Sequence, residues 1–158
     1  MIIRSLLRGI AAGAAGTSAL NAATYLDMAV RGRPASPMPE RAVEEFAKRT
    51  GTEIPGAGDE RDNRVQGLGA LSGIATGMTV GVVGVLLGPL LRRLPLAVSG
   101  VALGAAAMAG SDVPMTRLGL TDPSSWSQAD WLADAVPHLA FGVATAWTLR
   151  ATSRKAQP

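Results

Sequence analysis

The sequence predicts an all-α fold: a bundle of four transmembrane helices with a short amphipathic surface helix between the first and the second. Three observations carry this reading. Asp, Glu, Lys and Arg are missing from residues 9–26, 65–91, 94–111 and 135–149. Each stretch approaches the length of a helix that crosses a hydrocarbon core of ~30 Å. Gly69, Gly73, Gly77 and Gly81 recur every fourth residue inside the second stretch, and Gly84 and Gly88 continue the series. In water such glycines cost a helix about 1 kcal/mol each. In a bilayer the backbone must bond to itself, and small residues let helices approach closely. Aromatic residues make up only 4% of the chain, which suits packing through Gly and Ala rather than through large rings.

The first helix is expected over residues 3–30. Arg4 and Arg8 followed by an Ala/Gly run imitate a signal peptide, with residues 19–22 as a passable cleavage pattern. Residues 9–16 are weakly hydrophobic for the core of such a peptide, however, and the helical pattern runs on to Val30. Residues 31–64 are polar. Within them Pro37, Pro39 and Glu40 mark a helix start. Ala42, Val43, Phe46 and Ala47 form one face, Glu44, Glu45, Lys48 and Arg49 the other, and Gly51 is the stop. This is the surface helix. A loop from Thr52 to Asn63 follows, centred on Pro55-Gly56-Ala57-Gly58.

The second span covers residues 65–91. Arg92, Arg93 and Pro95 form a tight connection to the third, residues 96–111. A loop over 112–125 leads to the fourth, residues 127–152, with Ser124, Ser125 or Ser127 as its cap. Trp126, Trp131 and Trp147 lie towards its two ends, where interfacial aromatics belong. Residues 1–158 thus read as one integral membrane domain. Arg4 and Arg8, Arg92 and Arg93, and Arg150, Arg154 and Lys155 fall on one side of four crossings. The positive-inside rule puts that side, with both termini, in the cytoplasm. The first loop has seven basic residues offset by seven acidic ones.

Composition narrows the chemistry. There is no cysteine, which excludes disulfides and thiolate metal sites. The net charge is +3, but the basic residues sit at the ends of apolar stretches, where lipid headgroups would meet them. No basic stripe interleaved with aromatics points to nucleic acid. One histidine without cysteine argues against zinc, and no cofactor is expected. Arg, Ala and Gly are abundant, a composition typical of GC-rich bacterial genomes.

Two features could carry function. One is the glycine series Gly69, Gly73, Gly77, Gly81, Gly84 and Gly88, echoed by Gly9 and Gly13 and by Gly100 and Gly104. It fits packing within one chain, self-association through the second span, or a glycine-lined pore. The other is a polar cluster inside the bundle. Thr17, Asn21, Thr24 and Asp27 fall near one face of the first helix. Asp130, Asp134 and His138 share a face of the fourth. Asn21, Asp27, Asp134 and His138 are the candidate proton or ligand cluster, with Asp112 at the same level. Intramembrane ionisable groups are costly and rarely face lipid. Pro137 removes the usual donor to the carbonyl of Ala133. In the structural alternative Asp130 is a cap, Asp134 lies among headgroups and His138 donates to a neighbouring helix. Hydrolase, phosphate-loop and metalloprotease motifs are missing, so a non-enzymatic role is expected.

The run Arg8-Gly9-Ile10-Ala11-Ala12-Gly13-Ala14-Ala15-Gly16-Thr17 resembles the first helix of small bacterial inner-membrane proteins related to YagU. Leu118-Gly119-Leu120-Thr121 and Pro137-His138-Leu139-Ala140-Phe141-Gly142 are similar to their last loop and helix. Together these cover about a third of the chain, and the long charged first loop departs from the pattern. The resemblance implies a multi-span membrane protein, with acid tolerance suggested for one member of the group. The expected role is that of an accessory, scaffold or assembly subunit of the bacterial plasma membrane, in contact with lipids and with a larger complex or its own copies. The alternative is a small transporter or proton-linked channel using the polar cluster.

Overall fold

The computed structural model describes residues 2–154, which form six α-helices and one 3-10 turn. They are α1 (Ile2–Arg31), α2 (Met38–Thr50), α3 (Asp59–Leu86), α4 (Gly88–Leu91), α5 (Leu96–Arg117), the turn Pro123–Ser125, and α6 (Gln128–Arg154). The described residues contain no strand. Of the tail cations, Lys155 and the side chain of Arg154 lie outside what is described.

Local chemistry explains the boundaries. α2 starts at the expected prolines and ends at Gly51, whose φ of 67° is left-handed. The Thr52 N–H then reaches back to the Ala47 carbonyl at 2.9 Å, closing the helix as glycine C-caps do. α3 begins six residues before the expected Val65. Asp59, Glu60 and Asp62 fill its first turn, where carboxylates suit the positive end of the helix dipole. It ends at Leu86 rather than Leu91, because Pro89 cannot donate into a continuing helix; α4 is the separate turn that results. α5 runs to Arg117, six residues past the expected Ser111, and carries Pro114 inside it. Asp112 is therefore helical, not part of a loop. α6 opens on a reciprocal cap: Ser127 N–H and Oγ donate to Asp130 Oδ2 at 3.0 and 2.7 Å, and Asp130 N–H donates to Ser127 Oγ at 3.2 Å.

The four long helices run alternately up and down. α1 packs along both α3 and α6, and α6 along α5, whereas α3 and α5 touch more lightly. Glycines make these approaches. A Cβ on Gly9 would lie 2.6 Å from Val82 Cα, and one on Gly13 2.6 Å from Met78 Cα. A Cβ on Gly104 would lie 2.6 Å from the His138 carbonyl oxygen. The buried core is small: Ala12, Val80, Leu91, Leu103, Ala107, Phe141, Ala146 and Leu149. The ring of Phe141, 1% exposed, fills the space left by Gly16 and Gly77.

The glycine series of α3 does not form one seam. Gly69 meets Pro39 of α2, Gly77 and Gly81 meet α1, and Gly84 meets Leu149 and Leu103. Gly73 has nothing within 4 Å, and Gly88 meets only Arg92. The cause is helical geometry. A four-residue step overshoots a 3.6-residue turn by about 40°, so successive glycines rotate from one neighbour to the next.

Among the described residues, two helices, α3 and α5, are long and apolar enough to cross a membrane. In each, only 28% of the most apolar 18-residue stretch is buried within the molecule. These two helices suggest membrane association. α1 and α6 fall short of the same test because Gly, Thr, Ser and Asn21 dilute the first. Asp130, Asp134, His138 and several Thr residues dilute the second.

Candidate functional site

An ionisable cluster forms between α5 and α6. Gly104 and Gly142 let the two backbones nearly touch. Because the helices are antiparallel, two turns from Gly104 along α5 bring Asp112 to the level of Asp134. Asp112 is near enough to Asp134 and His138 for all three to interact electrostatically. His138 Nδ1 lies 2.9 Å from the Asp134 carbonyl oxygen and 3.4 Å from Asp134 Oδ1. A carbonyl oxygen only accepts, so Nδ1 carries the proton and the neutral ring keeps Nε2 as an acceptor. Ser111 Oγ donates to Asp112 Oδ1 at 3.2 Å. Asp134 Oδ2 is buried and has no hydrogen-bond partner. The His138 side chain is 13% exposed and that of Asp134 26%. Beside them Pro137, itself buried, deprives the Ala133 carbonyl of its helical donor. The arrangement brings two carboxylates and an imidazole, three groups able to bind a proton, near one another between α5 and α6. Among the described residues, no group of three or more His, Asp or Glu side chains is placed to hold a metal ion.

Of the four expected cluster residues, Asp27 is engaged elsewhere and Asn21 is bonded to none of the others. Asp27 pairs with Arg31, Nε to Oδ1 at 2.7 Å, and with Arg33. Gly32, with a φ of 63°, turns the chain so that Arg33 folds back onto the carboxylate one turn before the helix end. Asp27 is thus neutralised at the bundle rim and does not face His138. Asn21 is half-buried on α1 and makes no side-chain hydrogen bond among the described residues. Asp112 takes their place, brought in by the longer α5.

Sequence reasoning missed the opposite end of the bundle. Arg150 Nη2 donates to the carbonyls of Leu91 and Leu94 at 3.2 and 2.6 Å and to Ser99 Oγ at 3.0 Å. Ser99 Oγ donates to the Leu91 carbonyl at 2.9 Å. This network pins the turn between α4 and α5 to α6. Arg8 does the same between α1 and α6, donating to Thr152 Oγ1 and the Leu149 carbonyl at 3.4 Å and to Ser153 Oγ. The available signal was the lack of acids near these arginines in the chain: a half-buried guanidinium without a carboxylate must find carbonyls.

On the polar side, α2 lies against α3. Arg61 bridges to Glu44 at 2.9 Å, and Arg49 pairs with Glu45 while donating to the Leu118 carbonyl at 3.2 Å. The Arg49 guanidinium holds the Glu45 carboxyl below its usual range. No protein family, curated protein or solved structure matches this chain.

Proposed function

We propose that this chain is a four-span integral membrane protein of the bacterial plasma membrane, acting without chemistry of its own as an accessory or assembly subunit. The observation that carries the reading is inverted burial. Inside the bundle lie Gly9, Gly13 and Gly16 of α1, Gly77, Gly81 and Gly84 of α3, and Gly100 and Gly104 of α5. Outside lie Leu6, Leu7 and Ile10, then Leu71, Ile74 and Leu86, then Val98 and Val101, and Leu139, Val143 and Trp147 on α6. Water would penalise large apolar residues facing outwards on four helices; lipid tails accept them. All four helices then cross, although the polar residues of α1 and α6 weaken their individual signals. Both termini lie on the side of the unpaired arginines, the cytoplasm.

An assembly role follows from what the internal packing leaves over. Gly77, Gly81 and Gly84 are consumed by contacts within the chain, whereas Gly67 and Gly73 have nothing within 4 Å. The outer face of α3 around Gly73 is where a partner helix would approach closely. Mild-detergent purification should retain a larger complex that Gly73→Leu weakens. Purification as a bare monomer under all mild conditions would remove the assembly role.

The second reading, a proton-linked transporter, is favoured by the buried unpartnered Oδ2 of Asp134 beside His138 and Asp112. It requires flux in liposomes that Asp134→Asn or His138→Ala abolishes. Flux indifferent to both changes would remove this cluster as its site.

A further inference from the structure

We propose that the cleft between α3 and α5 binds one anionic phospholipid, an acyl chain lying in the cleft and the phosphate resting on Arg92 and Arg93. α3 and α5 meet at two levels. Gly110 approaches Thr76 near one end, and Gly84 approaches Leu103 deeper in the bundle. Between and below these contacts they part. The gap is a cleft of 290 Å³ lined by Thr79, Val80, Val83, Leu87, Ala102 and Ala106, among others. From Thr79 to Leu87 it extends about 12 Å along α3. Its walls are almost wholly apolar, and Ala102 and Ala106 leave room where larger side chains would close it.

The end of the cleft at Leu87 and Leu91 lies next to the α4–α5 turn. There the Arg92 guanidinium folds back beside Gly88, its Nη1 3.4 Å from the position of a Cβ on that residue. Arg92 and Arg93 are exposed. The sequence has no Asp or Glu between Asp62 and Asp112. Among the described residues, the ion pairs involve Asp27, Glu44, Glu45, Glu60 and Asp134, and none of them reaches this turn. The backbone of the turn is held by Arg150 through the Leu91 and Leu94 carbonyls, so two exposed cations are carried on a pinned turn at the end of an apolar slot. Charge complementarity chooses the occupant. An apolar partner helix would fill the slot and leave both guanidinia unmet, and a zwitterionic lipid would bring, beside its phosphate, an ammonium group that the two cations repel. A lipid carrying net negative charge satisfies both. The inference rests on α3 and α5 lying in a bilayer and needs neither α1 nor α6 to cross.

The test is native mass spectrometry of the detergent-purified full chain, titrated with equimolar phosphatidylglycerol and phosphatidylcholine. One phosphatidylglycerol should be retained, at least tenfold over phosphatidylcholine. Arg92→Gln with Arg93→Gln should abolish the preference. Ala102→Leu with Ala106→Phe should lower retention of both lipids. Equal retention of the two lipids by the unaltered chain would overturn the proposal without requiring any variant to fold. So would a preference that survives removal of both arginines, or a polypeptide in the slot. Recovery of the chain as a stable monomer in plain buffer would instead remove the membrane reading beneath it.

Discussion

Replacing Gly13 by alanine adds one methyl group where two helix backbones cross. The new Cβ would lie 2.6 Å from Met78 Cα and 2.8 Å from the Gly77 carbonyl carbon. Carbon atoms settle at about 3.5–4.0 Å, so α1 and α3 must part by about 1 Å along this seam. None of the three crowding atoms, the Gly77 carbonyl oxygen being the third, belongs to a flexible side chain that could swing aside. A gap of that size forfeits a quarter to a half of each dispersion contact it opens. Overpacking of this kind costs about 1–3 kcal/mol, against which alanine recovers up to about 1 kcal/mol of helix propensity. The net expectation is a loss of about 1–2 kcal/mol. Gly73→Ala is the internal control: α3, the partner helix at this seam, receives the same methyl group at a position with nothing within 4 Å, and stability should hold or rise. Both are measured by reversible unfolding in mixed micelles, following helicity against denaturant. Equal effects of the two substitutions would refute the reasoning, since propensity alone would then govern both sites.

Arg150→Gln should cost about 2–3 kcal/mol in the same assay, because charge-assisted bonds to two carbonyls and Ser99 are lost together. Arg150→Lys should restore only part of that loss. Thr145 is fully buried and its Oγ1 has no partner; Thr145→Val should therefore stabilise the fold by about 1 kcal/mol. The Asp122 carboxylate accepts from Ser124 N–H at 3.0 Å and Ser124 Oγ at 2.7 Å, and these bonds hold its pKa below the usual range. That turn is fully formed above an unfolded carboxyl's pKa of about 3.9 and is lost as pH falls through the lower folded value. A carbon-detected titration of Asp122 would show it, and an unshifted midpoint would count against the turn.

The helices were legible because their signals are local. Proline and glycine bracket α2 at Pro37 and Gly51, and uncharged runs mark the four long helices. The ends were less legible because charge marks loops and helix ends alike: Asp59, Glu60 and Asp62 stabilise the start of α3, and Asp112 sits within α5. Element existence followed from apolar runs, but the partner of each glycine did not, since rotation of about 40° per four-residue step sends Gly69, Gly77 and Gly84 to different neighbours. The candidate cluster was half legible. Asp134 and His138 share a helix face by spacing alone. The departure of Asp27 depended on the left-handed turn at Gly32 and on Arg33 beyond it, and the arrival of Asp112 on the helix contact at Gly104. The first is a local turn that the apolar period does not report, and the second is a long-range contact that no periodicity encodes.

Lipid solvation of α1 and α6, the two helices with the weaker apolar signal, is tested most directly by spin labels. The chain has no cysteine, so single cysteines at exposed Ser18 of α1 and Leu139 of α6, with Ala57 in the loop before α3 as reference, each carry one label in reconstituted vesicles. The account predicts that Ser18 and Leu139 labels collide with oxygen and are shielded from a water-soluble nickel chelate, whereas Ala57 shows the reverse. Chelate access at Ser18 and Leu139 equal to that at Ala57 would contradict it.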